Sequence, residues 1–312
     1  MRMLSFLLVL SIIIGLFLGV HSGVPQFPLS DGDLNLLLYI RFPRIIGACI
    51  IGAGIATAGT AYQSAFKNPI VTPGILGVSA GAGVGASIAM LLGINALGLF
   101  SCIFGLLTVY IVWNIAKIIS TNTVYVLVIG VIMSGIASSA LSLIKFMADP
   151  NGALPAITFW LMGSLSSLRI SHFPIYLLIL ICCIIFYKLR WRLDILNQPS
   201  QMIKSLGINE RNNIGYIVLI STIISSLICS IAGVIGMVGL AIPHLVRILQ
   251  GTDSNKDTML NIQLSGALFV LWIDNGIRML PLELPIGILT SLIGAVVFGI
   301  CMIIRKGMIS ND

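Results

Sequence analysis

The sequence predicts an all-α polytopic membrane protein of about ten transmembrane helices, and three observations carry that prediction. Of the 312 residues, 58% are hydrophobic and only 9% are charged, with a mean hydropathy of +1.09, whereas a soluble domain is about a quarter charged. Apolar runs of roughly 20 residues, the length that crosses ~30 Å of hydrocarbon at ~1.5 Å per residue, recur along the whole chain. The alternating pattern of barrel strands is absent, and a backbone without water must satisfy itself, which leaves helices.

Ten spans are predicted in order: residues 3–20, 44–63, 75–93, 97–119, 124–144, 173–189, 214–232, 235–250, 264–277 and 285–304. The first follows Arg2, as a signal peptide would, but its apolar run is long and no clear A-x-A cleavage site follows, so it reads as an uncleaved span. The loops are mostly brief. Two longer ones are predicted at 21–43 and 145–172, the second carrying ITFWLMGSLSSL, a candidate short re-entrant or surface helix. Nothing is long enough for a separate soluble domain, so residues 1–312 form one transmembrane domain.

An even number of spans puts both termini on one side. If that side is the cytoplasm, Arg2, Lys67, Lys117, Lys188, Arg190, Arg192, Lys204, Arg211, Arg247, Lys256, Arg305 and Lys306 lie inside, twelve of the 17 basic residues. Arg41, Arg44, Lys145, Arg169 and Arg278 lie outside, and this asymmetry is what the positive-inside rule requires.

The longest polar interruption is residues 188–213, KLRWRLDILNQPSQMIKSLGINERNN, with six spans before it and four after. It is a positively charged inner loop, a natural place for an outside partner to act on the membrane domain.

Small residues recur at four-residue spacing inside the spans. Gly77, Gly81 and Gly85 form one stripe and Ala48, Gly52 and Ala56 another, a pattern that lets helix backbones approach closely. Gly81, Gly83 and Ala86 also match a G-x-G-x-x-A dinucleotide fingerprint, but the preceding strand and the later acidic partner are missing. A third stripe, Gly130, Ser134, Ser138 and Ser142, runs along the fifth span. Its hydroxyls fit either a solvated pathway or ordinary interhelical and back-bonding hydrogen bonds. The six cysteines lie in apolar segments without C-x-x-C spacing and read as small buried hydrophobes. The three histidines are scattered, so no metal site is assigned.

The charges exclude several functions. Ion-coupled carriers need ionisable groups near the bilayer midplane, and nine of the ten acidic residues fall in loops or tails. The exception, Asp274, sits four positions before Arg278, where the two can pair. No Gly-Lys-Ser/Thr phosphate loop occurs, so the chain does not read as an ATPase, and if it pumps, its energy comes from a partner. An integral membrane enzyme would need ligands or acids gathered at one face; Asp149, Arg169 and His172 are the nearest candidates, and their spacing fits no metal motif.

Five segments together carry a family resemblance: RFPR (41–44), AGTAYQSAFKNPIVTPGILGVSAGAGVGA (58–86), WLMGSLS (160–166), GVIGMVGLAIPHLVRILQGTD (233–253) and ELPIGILTSLIGA (283–295). In identity, order and spacing the sequence resembles the iron-siderophore, haem and vitamin B12 permeases of bacterial ATP-binding-cassette (ABC) importers. The resemblance implies a type II ABC importer permease fold in the bacterial inner membrane, whose two halves are related by inverted topology. It also implies pairing with a second, identical or homologous permease subunit, two cytoplasmic ATPase subunits that use ATP and Mg, and an extracytoplasmic substrate-binding protein. This chain would hold no cofactor of its own. The implied cargo is an iron-siderophore, haem or cobalamin-type substrate, with oxyanions such as molybdate still open.

The resemblance also implies residue roles. Arg41, Arg44 and Arg278 match the family's arginines that face acidic residues of the binding protein, where opposite charge steers docking; snorkelling to lipid headgroups is the alternative. Residues 196–209, within a coupling loop at about 190–213, match the family's ATPase-contacting coupling helices. The positions implied are Ser200, Lys204, Leu206, Gly207, Ile208 and Asn209, with Gly207 allowing a sharp bend. The segment NQPSQMIKS departs from the family's usual Gly-Glu-x-x-Ala-type run. Gly130, Ser134, Ser138 and Ser142 fall on a span that lines the family's pathway.

Overall fold

The computed structural model describes residues 2–17, 35–120 and 122–309. Twelve α-helices occur among them: α1 (Arg2–Phe17), α2 (Phe42–Ala65), α3 (Val78–Leu91), α4 (Leu97–Ile119), α5 (Thr123–Met147), α6 (Ala153–Leu161), α7 (Phe173–Leu196), α8 (Ser200–Ser205), α9 (Glu210–Ala232), α10 (Val238–Gln250), α11 (Asn255–Arg278) and α12 (Ile286–Ile309). Every predicted span falls on one of these helices, overrunning a described helix end by at most three residues; residues 18–20 of the first lie outside the described residues. The two helices with no counterpart among the spans, α6 and α8, are the shortest. Among the described residues, six stretches are long and apolar enough to cross a membrane: Leu36–Ala65, Leu97–Ile119, Thr123–Met147, Ile170–Leu196, Glu210–Ala232 and Ile286–Arg305. The protein is therefore a multi-pass membrane protein.

Three boundaries differ from expectation. The predicted short ninth span is a full helix, α11, because it opens on the polar turn Asn255 to Thr258, which a hydropathy reading discards. The loop predicted at 21–43 ends earlier, since Leu36–Arg41 winds as a π-turn into α2. Pro43 brings no N–H to the helical ladder, and a widened turn just before it is one way to absorb that loss. ITFWLMGSLSSL is only partly helical: α6 starts at Ala153 and ends at Leu161, where Gly163 turns the chain at φ +71°.

The chain divides into two compact units. Unit 1 comprises Met1–Thr57, Gly163–Tyr187 and Ile235–Asp312, and unit 2 comprises Ala58–Met162 and Lys188–Val234. In unit 1, α1 packs on α11, and α10 packs on α11 and α12. The middle of the Ala48, Gly52 and Ala56 stripe lies directly on α11, where a Cβ on Gly52 would collide with the carbonyl oxygen of Gly266. Polar side chains close the unit: Trp272 Nε1 donates to Ser11 Oγ at 2.7 Å and Gln263 Nε2 to the Cys183 carbonyl at 3.0 Å.

In unit 2, α3 packs on α4, α5, α6 and α9, and α4 packs on α9. Gly81 and Gly85 are the contact points with α4, at Thr108 and Phe100. Tyr62 is fully buried and its hydroxyl lies 2.7 Å from Thr222 Oγ1. Thr222 already donates to the Val218 carbonyl at 2.6 Å, so its single proton is used and Tyr62 must be the donor.

Candidate functional site

The polar hub folds into a defined turn in unit 2. Helix α8 is a six-residue helix that follows Pro199. Its end is a Schellman motif: Gly207 N–H donates to the Lys204 carbonyl at 2.9 Å and Ile208 N–H to the Ile203 carbonyl at 3.3 Å. That closure requires a left-handed residue at Gly207, which has φ +70°, and glycine adopts it without steric cost. Asn209 then caps α9, its Oδ1 accepting from Asn212 N at 3.1 Å.

The turn is anchored from within and open outside. Ile203 is fully buried, while Met202 and Leu206, four positions apart, are 52% and 55% exposed. Ser200, Lys204, Gly207 and Asn209 are exposed as well and Ile208 is half-buried. Two exposed apolar side chains on one face, outside any apolar span, suit contact with another protein. Behind the turn, a cavity of about 240 Å³ lies between Trp191 and Ile195 of α7 and Gly207, Ile208 and Asn209.

Lys67 ties this turn to the end of α2. It sits at φ 49°, and its Nζ bonds Glu210 Oε1 at 2.7 Å and Ser200 Oγ at 3.3 Å. Sequence reasoning counted Lys67 only as an inner charge and passed over Met202; the i, i+4 pair Met202 and Leu206 in a polar loop was the available signal.

The three arginines expected to face a binding protein all lie in unit 1. Arg41 is buried, and its Nη1 donates to the Leu16 carbonyl at 2.6 Å. Arg44 grips Asp274: Nε lies 2.9 and 3.1 Å from the two carboxylate oxygens, and Nη2 lies 2.8 Å from Oδ1. The Asp274 side chain is 0% exposed and that of Arg44 is 15% exposed. Beside the attraction between Asp274 and Arg278 expected from their spacing, the carboxylate takes a tertiary partner 230 positions away. A guanidinium brought alongside by packing adds a bidentate fork that the helical spacing rule does not foresee. Arg278 is half-buried at the end of α11.

The stripe on α5 does not lie on one face. Four residues advance a helix by about 40° beyond a full turn, so three such steps drift by about 120°. Gly130 is buried against Ile75 and Leu76, and the Ser134 backbone meets Gly77. Ser138 and Ser142 are exposed, with Ser142 Oγ donating back to the Ser138 carbonyl at 3.0 Å.

Long apolar helices with a structured, exposed turn outside the spans define a multi-pass membrane protein. The chain belongs to the FecCD transport family, whose model matches residues 3–305. It is 34% identical over 314 aligned positions to the molybdate import system permease protein MolB of Haemophilus influenzae, covering 95% of this chain and 93% of that protein. It is 30% identical to the hemin transport system permease protein HmuU of Yersinia pestis, covering 97% and 96%. A solved metal-chelate type ABC transporter in an inward-facing conformation superposes with a TM-score of 0.89 at 34% identity, over 96% of this chain and 97% of that one.

Proposed function

We propose that this permease is the transmembrane subunit of an ABC importer that moves a metal-bearing chelate or oxyanion into the bacterial cytoplasm. Its relatives are named for molybdate, hemin and vitamin B12, so the cargo belongs to that group: an iron-siderophore, haem, a cobalamin or molybdate. The chain lies in the inner membrane with both termini cytoplasmic, pairs with an identical or homologous permease, and receives substrate from an extracytoplasmic binding protein. Two ATPase subunits using ATP and Mg supply the energy. The single observation that carries this reading is the family match across residues 3–305, and the α8 turn supports it by offering a contact surface outside the spans.

The ATPase subunits bear on Ser200, Met202, Lys204, Leu206, Gly207, Ile208 and Asn209, and the 240 Å³ cavity behind the turn accepts one of their side chains. Arg44 and Arg278 form the basic rim for the binding protein, with Arg41, buried against the Leu16 carbonyl, behind them. Ser138 and Ser142 line the pathway, while Gly130 and Ser134 form its packed base.

The experiment is reconstitution of the permease with its ATPase and binding protein in vesicles, scoring uptake of labelled molybdate, ferric siderophore, haem and cobalamin. ATP-dependent accumulation of one of them is the expected result. Uptake driven by a proton gradient without ATP would replace this reading with an ion-coupled carrier.

A further inference from the structure

A second groove in unit 2 begins beside the α8 turn, at Arg211 and Asn212, and has no role in the transport scheme. It measures about 830 Å³ and runs between α4 and α9, within the ~300–1,000 Å³ range of small-molecule sites. Most of its wall is apolar, and three exposed or half-buried aromatic side chains, Tyr110, Trp113 and Tyr216, stand along it. The groove owes part of its depth to Gly215, where a Cβ would meet the Trp113 ring at 3.0 Å.

One end is polar and cationic. Lys117 in the last turn of α4 and Arg211 in the first turn of α9 both line it, with Asn212 beside them. Among the described residues no ion pair engages either cation, and no carboxylate lines the groove. The nearest acid in sequence, Glu210, is already neutralised by Lys67 at 2.7 Å. The positive end of the α9 dipole and the negative end of the α4 dipole meet here and offset one another, so the two side chains carry the field. An apolar channel with aromatic walls and two uncompensated cations at the membrane boundary matches an amphiphile with an anionic head.

We propose that this groove binds one anionic phospholipid from the leaflet on the α8 side, with its acyl chains along Trp113 and Leu219 and its phosphate between Lys117 and Arg211. A second copy of this chain is the competing occupant, but it would have to bring a carboxylate to both cations, whereas a phosphodiester meets them with one group. The proposal is independent of the cargo and of the transport reading.

The test places the complete transporter in vesicles containing phosphatidylglycerol or phosphatidylcholine brominated on the acyl chains. The Trp113 contribution to quenching is the difference between the wild type and Trp113→Phe. Because the bromines sit on the chains, free phosphate cannot give the signal. Brominated phosphatidylglycerol is expected to compete for Trp113 with a preference on the order of tenfold, and Lys117→Gln with Arg211→Gln is expected to erase that preference. Arg305→Gln, a cation outside the groove, serves as the control and is expected to leave the preference intact. Equal quenching by the two lipids, quenching by neither, or a preference that survives the double substitution would overturn the assignment.

Discussion

Arg44→Met is expected to destabilise the permease by about 3 kcal/mol. Asp274 is 0% exposed and its carboxylate takes contacts of 2.8, 2.9 and 3.1 Å from Arg44. Removing the guanidinium leaves that charge buried without its bidentate partner, a loss of ~3–5 kcal/mol, and the lower end applies because Arg44 itself reaches solvent and Arg278 still attracts the carboxylate. That corresponds to roughly a hundredfold shift in the folding equilibrium. The double variant Arg44→Met/Asp274→Leu removes both charges and is expected to return within about 1 kcal/mol of the wild type. Titration of the purified permease from mild into denaturing detergent, followed by helical signal, measures both. A single variant as stable as the wild type, or a double variant no better than the single, would refute the buried pair. Arg44→Glu and Arg278→Glu each set a carboxylate near Asp274, so docking is scored by binding-protein stimulation of the ATPase in variants whose stability in the same titration matches the wild type.

Two further outcomes follow from the same geometry. Gly207→Pro cannot adopt φ +70° and lacks the N–H that closes α8 on Lys204 at 2.9 Å; the expected result is normal membrane insertion with transport uncoupled from ATP hydrolysis, and Leu206→Asp is expected to behave alike. If both transport normally in vesicles, the turn is only a linker. Gly52→Val forces α2 away from Gly266 and is expected to lower stability by about 3 kcal/mol or more, read in the same detergent titration, whereas Gly74→Ala, with only the Thr72 side chain near its added Cβ, is expected to cost under about 1 kcal/mol.

The helices were legible because solvent exposure leaves its mark on local composition. The hub was legible for the same reason, and the Leu206, Gly207, Ile208 triplet signalled its turn. What local patterns could not supply were choices made by packing. Asp274 and Arg278 satisfy the helical spacing rule, yet Arg44 delivers its fork from a distant segment. The serine stripe looked like a face because four is near 3.6, but its drift carries Gly130 into a packed contact and Ser142 onto the surface. The start of α11 was hidden because Asn255, Thr258 and their charged neighbours are polar, although Asn255 and Thr258 are fully buried.

Helices α3 and α10 have 14 and 13 residues, or ~20 Å at ~1.5 Å per residue, two thirds of a ~30 Å hydrocarbon layer. Their ends cannot meet lipid without leaving backbone groups unsatisfied. Each is accordingly sheathed by its own unit, α3 by α4, α5, α6 and α9, and α10 by α11 and α12. Hydrophobic mismatch therefore reaches these helices chiefly through their neighbours, Leu91 and Leu249 near their C-terminal ends being exposed. In bilayers of different thickness, tilt and local deformation fall on the six long apolar stretches, while the short helices behave like the interior of a soluble protein.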